Sequence, residues 1–165
     1  MYQTPIKYQT TALEDWVSNL YKNKLGIHTP KQIDEMTICR YYRIFLHRKN
    51  MEASYQIIGR YTGIVVDKRL PFEIQRESFF HELCHILRHS GTQSMMPEAF
   101  RELQEWDAQN FVRYATIPHH MINLIDFDDP QVIMNMSDMF KVTPELCEQR
   151  LLQIKRRTGS LVGRM

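Results

Sequence analysis

The stretch Phe79-Phe80-His81-Glu82-Leu83-Cys84-His85-Ile86-Leu87 decides how this chain is read. Phe79, Phe80, Leu83, Ile86 and Leu87 form a broad apolar face at helical spacing, so a helix with one side in the core is predicted. On that helix His81 and His85 are four residues apart. They share a face about 6 Å apart along the axis, and two imidazoles can converge on one ion. Glu82 is rotated by one step, able to reach a water at such an ion without joining its coordination shell. Two neutral nitrogen ligands, an open position and a carboxylate base are the parts a zinc hydrolase needs. Leu83 and Cys84 are expected to face the core while the ligands face a cleft.

A catalytic zinc needs a third protein ligand. His89 continues the series, but on a straight helix it stands about 12 Å from His81, too far for a shared ion at about 2 Å. The metzincin spacing needs Gly and His three and six residues after His85; Arg88 and Gly91 stand there, which excludes that subclass. The remaining source is the next predicted helix, where Glu98, Glu102, Glu105 and Gln109 lie near one face. Glu105 is preferred, with Gln109 one turn on to accept a hydrogen bond from a ligand imidazole. Glu102 and Glu98 are the alternatives. Tyr114, His119, His120 and His89 are candidates for stabilising an oxyanion.

Outward from this helix the pattern predicts an α+β fold. Thr11 and Glu14 fit a capping box, and Leu13, Trp16, Val17, Leu20 and Tyr21 predict a helix to about Tyr21, with Gly26 near its end. Thr29-Pro30 predicts a short second helix carrying Ile33 and Met36 inward. Residues 41–47, 54–59 and 62–66 read as three strands, and their short connections predict an antiparallel meander. Downstream, Gly91 fits a helix stop. A helix over residues 98–115, with Phe100, Leu103, Phe111 and Val112 as apolar positions, ends before Pro118. A last helix starts at Thr143-Pro144-Glu145 and buries some of Leu146, Cys147, Leu151 and Ile154. The expectation is one domain over residues 1–158, a helical body with a small three-stranded antiparallel sheet, and a mobile tail over residues 159–165.

Composition bounds the partners. The chain has 165 residues, 43% hydrophobic and 24% charged, enough for a real core. Lys and Arg number 21 against 19 Asp and Glu, a formal +2. That balance argues against direct nucleic-acid binding as the main task. No apolar run approaches the roughly 18 residues a membrane span needs, and residues 1–9 lack the apolar core of a signal peptide. Cys39, Cys84 and Cys147 are odd in number and far apart, which does not suit a disulfide framework. A cytoplasmic location is expected.

The run from Arg76 to Pro118 resembles the ImmA/IrrE family of bacterial and phage metallopeptidases, relatives of the gluzincins. That family shows an H-E-L-x-H-x-L helix, then a helix reading approximately E-x-x-A-(D/N)-x-F-A that ends near a Pro. Here the first reads His81-Glu82-Leu83-Cys84-His85-Ile86-Leu87. The second reads Glu105-Trp106-Asp107-Ala108-Gln109-Asn110-Phe111-Val112, with Pro118 beyond. The chain departs from the pattern at Gln109 and Val112. The resemblance implies a minimal gluzincin-like fold, Zn2+ held by His81, His85 and Glu105, and Glu82 as the base. It also implies a protein substrate, a helix-turn-helix repressor of a phage or mobile element.

Two rival readings stand beside this one. The segments 131–140 and 144–157 have the outline of a helix-turn-helix with Lys155, Arg156 and Arg157 nearby, which suggests a DNA-binding module. Glu145 and Glu148 on the first turns of its supposed recognition helix argue against it. The other rival is a non-catalytic metal-binding regulator, against which the intact Glu82 speaks.

Overall fold

Thr11 opens the first helix. Its hydroxyl accepts from the Glu14 amide at 3.2 Å, and the Glu14 carboxylate accepts from the Thr11 amide. In the computed structural model, which describes residues 8–89 and 96–158, α1 (Ala12–Asn19) runs straight into a π-helical stretch, Leu20–Leu25. Gly26, at φ 67°, ends it in the left-handed conformation that glycine enters without a Cβ clash.

The predicted second helix divides. Thr29-Pro30 opens a single 3-10 turn, Pro30–Gln32, and Ile33 is extended. Asp34 then caps a separate helix, α2 (Glu35–Tyr42), accepting from the amides of Met36 and Thr37. Tyr41 and Tyr42, expected to begin a strand, instead close α2, and Arg43 at φ 57° turns the chain. The strand preference of two aromatic residues yields here to a capped helix that buries Ile38 and Cys39.

Three strands follow: β1 (Phe45–Lys49), β2 (Ser54–Ile58) and β3 (Tyr61–Asp67). Their order is β1-β3-β2, with β2 antiparallel to β3 but β1 parallel to it. The sheet is therefore mixed, and the antiparallel meander is corrected. The apolar run Gly63-Ile64-Val65-Val66 explains why β3 is central, since Ile64 and Val66 are both fully buried. Residues 50–53 are long enough to step across one intervening strand, two spacings of about 4.8 Å each.

The helical body completes the fold: α3 (Phe72–Arg88), α4 (Glu98–Thr116), a 3-10 stretch His119–Leu124, α5 (Val132–Phe140) and α6 (Pro144–Thr158). The core joins Phe79, Phe80, Leu83 and Cys84 of α3 to Ala108, Phe111 and Ala115 of α4 and to the inner face of β3. Burying each Phe contributes about 1.5–3 kcal/mol. Phe111 and Val112 are buried as the pattern predicts, but Phe100 and Leu103 are 61% and 60% exposed. The first turns of α4 bury no side chain among the described residues; periodicity gives a face but not what lies opposite it. Leu146, Cys147, Leu151 and Ile154 of α6 are all buried. Glu77 of α3 accepts from the amide and hydroxyl of Thr143, which ties the start of α6 to α3. The three cysteines are buried and free, and no described helix is long and apolar enough to cross a membrane. The predicted stop at Gly91 and the tail 159–165 lie outside the described residues.

One buried ion pair joins the ends of the chain. Arg150 of α6 donates to Glu14 at 3.2 Å, and neither side chain has any exposed surface. Arg157 also pairs with Glu14, the Tyr8 hydroxyl donates to it at 2.6 Å, and Arg150 donates to the Ile117 carbonyl at 3.0 Å. Removing one partner strands the other charge without water. Glu14→Ala is therefore expected to destabilise the fold by about 3–5 kcal/mol in urea denaturation; a loss below about 1 kcal/mol would contradict this account of the pair.

Candidate metal centre

The face of α3 that carries His81 and His85 meets one turn of α4. His81 Nε2 lies 3.0 Å from Glu105 Oε2, and His85 Nε2 lies 3.1 Å from Glu105 Oε1. The two Nε2 atoms are 3.2 Å apart. A tetrahedral ion with ligands at about 2.0–2.1 Å holds neighbouring donors about 3.3 Å apart. Each imidazole faces a different Glu105 oxygen, and one donor atom from each of the three residues lies within 4.8 Å of the others, a grouping that would suit a zinc ion. Two nitrogens and one carboxylate oxygen are also the donor set that suits it. Small side chains, Cys84 and Ala108, adjoin these ligands on the two helices, and both are fully buried.

The three candidate ligands differ in exposure. His85 has 3% of its side chain exposed, His81 29% and Glu105 41%. Tyr55 of β2 covers His85, its ring stacked on the imidazole at 5.7 Å between centroids. Burial, then the charges of Glu82 and Glu105, raise the Tyr55 phenol above its ordinary range. Glu82 itself is pushed up to about 7, by burial first and by the Glu105 charge second.

The partner of the buried imidazole is not the one expected. His85 Nδ1 is 3.0 Å from His89 Nδ1, and His89 Nε2 is 2.8 Å from Asp107 Oδ2. Arg88 donates to the same carboxylate from Nε at 3.0 Å. Burial raises the Asp107 pKa, but hydrogen bonds from Arg88 and His89 outweigh it and hold the carboxyl below its usual range. No hydrogen bond from Gln109 to His81 or His85 is seen among the described residues; it lines the cleft beside His81 and Glu82.

The other candidates lie elsewhere. The Tyr114 hydroxyl accepts from Arg157 at 2.7 Å, in the polar cluster around Arg150. His120 pairs with the Ser18 hydroxyl at 2.9 Å and the Ile27 carbonyl at 3.2 Å; His119 lies 3.5 Å from Asp15. These histidines fasten the turn after α4 to the first helix, so none of the three stands at the centre. Glu98 and Glu102 line a shallow groove that also includes Glu105, without joining the cluster of His81, His85 and Glu105. Tyr55 and Asp107 escaped sequence reasoning. The third histidine at a step of four was a signal for the His89 contact; nothing local marked Tyr55.

A cleft of about 550 Å³ opens beside the cluster. Ile74, Ser78, His81 and Glu82 of α3 line it, with Gln109 and Val112 of α4, Glu145 and Leu146 of α6, and Ala53 just before β2. Among the described residues β2 is an outer strand of the sheet, and its Tyr55 brings it against His85. An outer edge offers unpaired backbone donors and acceptors to an extended peptide.

Residues 39–152 match the family described as IrrE N-terminal-like domain, Peptidase_M78. The chain is 33% identical over 151 residues to the phage-like element PBSX protein XkdA of Bacillus subtilis (strain 168), covering 90% of this chain and 76% of that protein. It is 32% identical over 148 residues to the uncharacterized protein YqaB of the same strain, covering 88% and 86%. No solved structure gives a significant match.

The Glu82 environment gives a measurable expectation. A base needs the ionised carboxylate, so base function disappears as pH falls through its pKa. In the metal-free chain the carboxyl should titrate near 7, and adding zinc should move it downward through attraction to the dication. Carbon-detected NMR of Glu82 reads both; a metal-free value at the ordinary carboxylate range would contradict the burial argument.

Proposed function

Because this chain belongs to the peptidase family with the IrrE N-terminal-like domain, we propose that it is a zinc-dependent, site-specific endopeptidase that cleaves a helix-turn-helix repressor of a phage or mobile element. The observation that carries the reading is the cluster of His81, His85 and Glu105, in which the two Nε2 atoms are 3.2 Å apart and each lies 3.0–3.1 Å from a Glu105 oxygen, beside a half-buried Glu82. When bound there, zinc supplies a Lewis acid and a water acidified toward neutral pH.

The chain's own residues supply the rest. The outer edge of β2 aligns an extended substrate as an added strand and presents its backbone to the cleft. Glu82 takes a proton from the attacking water and returns it to the leaving amine nitrogen. Its raised pKa suits both directions of that transfer near neutrality. Tyr55, rather than Tyr114, faces the centre and is the candidate donor to the developing oxyanion. The Tyr55 ring also shields His85 from solvent, which strengthens electrostatic contacts in the centre.

The substrate class is supported by XkdA, whose name places it in a phage-like element. A repressor substrate places the reaction in the cytoplasm. The tie between Thr143 and Glu77, with Glu145 and Leu146 in the cleft lining, favours α6 as a cleft wall over insertion of its first turn into DNA.

Glu82→Gln should keep zinc and lower cleavage at least about 100-fold, read by incubation with a helix-turn-helix repressor that the wild-type protein cleaves. Cleavage at the wild-type rate would remove Glu82 from its role. Glu105→Ala should lose zinc in elemental analysis of the purified protein; unchanged content would move the third ligand to another carboxylate.

A further inference from the structure

We propose that His89 is a positioning residue. It joins the metal ligand His85 to the Asp107 carboxylate through a chain of hydrogen bonds that runs in one direction and fixes the coordinating ring for metal binding. The proposal rests on the reading of His85 as a zinc ligand through Nε2.

The direction follows from proton bookkeeping. A neutral imidazole that coordinates through Nε2 carries its proton on Nδ1. His85 Nδ1 lies 3.0 Å from His89 Nδ1 and so donates to it, which leaves His89 Nδ1 bare. The His89 proton then sits on Nε2, 2.8 Å from Asp107 Oδ2, an acceptor. Arg88 closes the chain, donating to Oδ2 at 3.0 Å and to Oδ1 at 3.4 Å. With the metal-binding nitrogen bare and His89 neutral, every donor in this chain meets an acceptor. Without His89, the Nδ1–H of a ligand with 3% of its side chain exposed would lose the 3.0 Å contact to the His89 ring.

Local backbone explains the placement. His89 ends α3, its amide still bonded to the His85 carbonyl at 3.1 Å, so its ring lies one turn along from the ligand. Asp107 follows Glu105 by two residues, and one turn of α4 delivers both a ligand and the anchor for another. Cys84, His89 and Asp107 also lie close enough to suggest a second cation site. The Arg88 guanidinium already supplies the positive charge that Asp107 would offer such an ion, so the group reads as an anchor.

Zinc affinity of the full 165-residue chain, measured by competition with a chromophoric chelator, tests this. Wild type should bind one zinc. His89→Phe should bind it about 10–100-fold more weakly, and Asp107→Asn should shift affinity in the same direction by less. His89→Gln, whose amide can accept from His85 and donate to Asp107, should restore affinity to within about 3-fold of wild type. Nitrogen-detected NMR of the zinc-loaded wild type should place the His89 proton on Nε2, a readout that requires no variant to fold. Unchanged zinc affinity in both His89→Phe and Asp107→Asn overturns the proposal, even if their melting temperatures fall, because a helix-end role alone would do that. A His89 proton on Nδ1, or two zinc ions per wild-type chain, also overturns it. A wild type that binds no zinc overturns the metal reading itself, an outcome distinct from the others.

Discussion

A histidine ring with almost no solvent contact needs partners for both of its nitrogens, and His85 sets that requirement at the middle of this fold. One nitrogen turns to Glu105 and His81, the other to His89. Water cannot make up for either partner. The packing of α3 on α4 therefore has to be accurate to a few tenths of an ångström at that point, and small fully buried residues, Cys84 and Ala108, adjoin the contact on either helix. Apolar burial alone would tolerate a shift of one helix along the other. Polar groups with fixed directions do not, which makes the α3–α4 register specific.

Around this constraint the sheet and the last helix make the working surface. β3 is buried at the centre and holds β2 outward, where β2 provides a cover for His85 through Tyr55 and, among the described residues, an outer strand edge. α6 closes the far wall of the cleft, held to α3 by the Glu77 carboxylate. Glu77 is raised above the ordinary range by burial, which its hydrogen bonds from Thr143 only partly offset. The remote Glu14–Arg150 pair ties α1 to α6 and so fixes the wall from behind. Buried charge appears at both the centre and the back, and in each case a directed partner compensates for lost hydration.

Electrostatics separates the carboxylates by role. Asp107 receives a guanidinium and an imidazole, which keep it ionised. Glu82 is half-buried and feels the like charge of Glu105, which brings its proton affinity close to neutrality. One carboxylate therefore suits an anchor and the other suits proton exchange. Their difference lies in neighbours from other elements, since the two side chains carry the same functional group.

Much was legible from residue order because some chemistry is local. A step of four on a helix brings His81 and His85 to one face in any fold, and Glu105 followed from a second helix with a carboxylate stripe. Thr11 with Glu14, Gly26, and the start of α6 were equally readable, since caps and stops depend on adjacent backbone. The strand order was not, because residues 50–53 do not reveal that a later, more apolar strand will take the central place. Tyr41 and Tyr42 misled for a related reason: a cap several residues earlier outweighed their own preference. Gln109, Tyr114, His119, His120 and His89 were all candidates that residue order does not rank; of these the fold sets His89 against His85 and adds Tyr55 from β2. Sequence thus determined which groups share a helix face, by helical periodicity. Tertiary structure decided which groups support them, because a hydrogen bond to a buried ring depends on atoms brought together from distant segments at distances that no local spacing encodes.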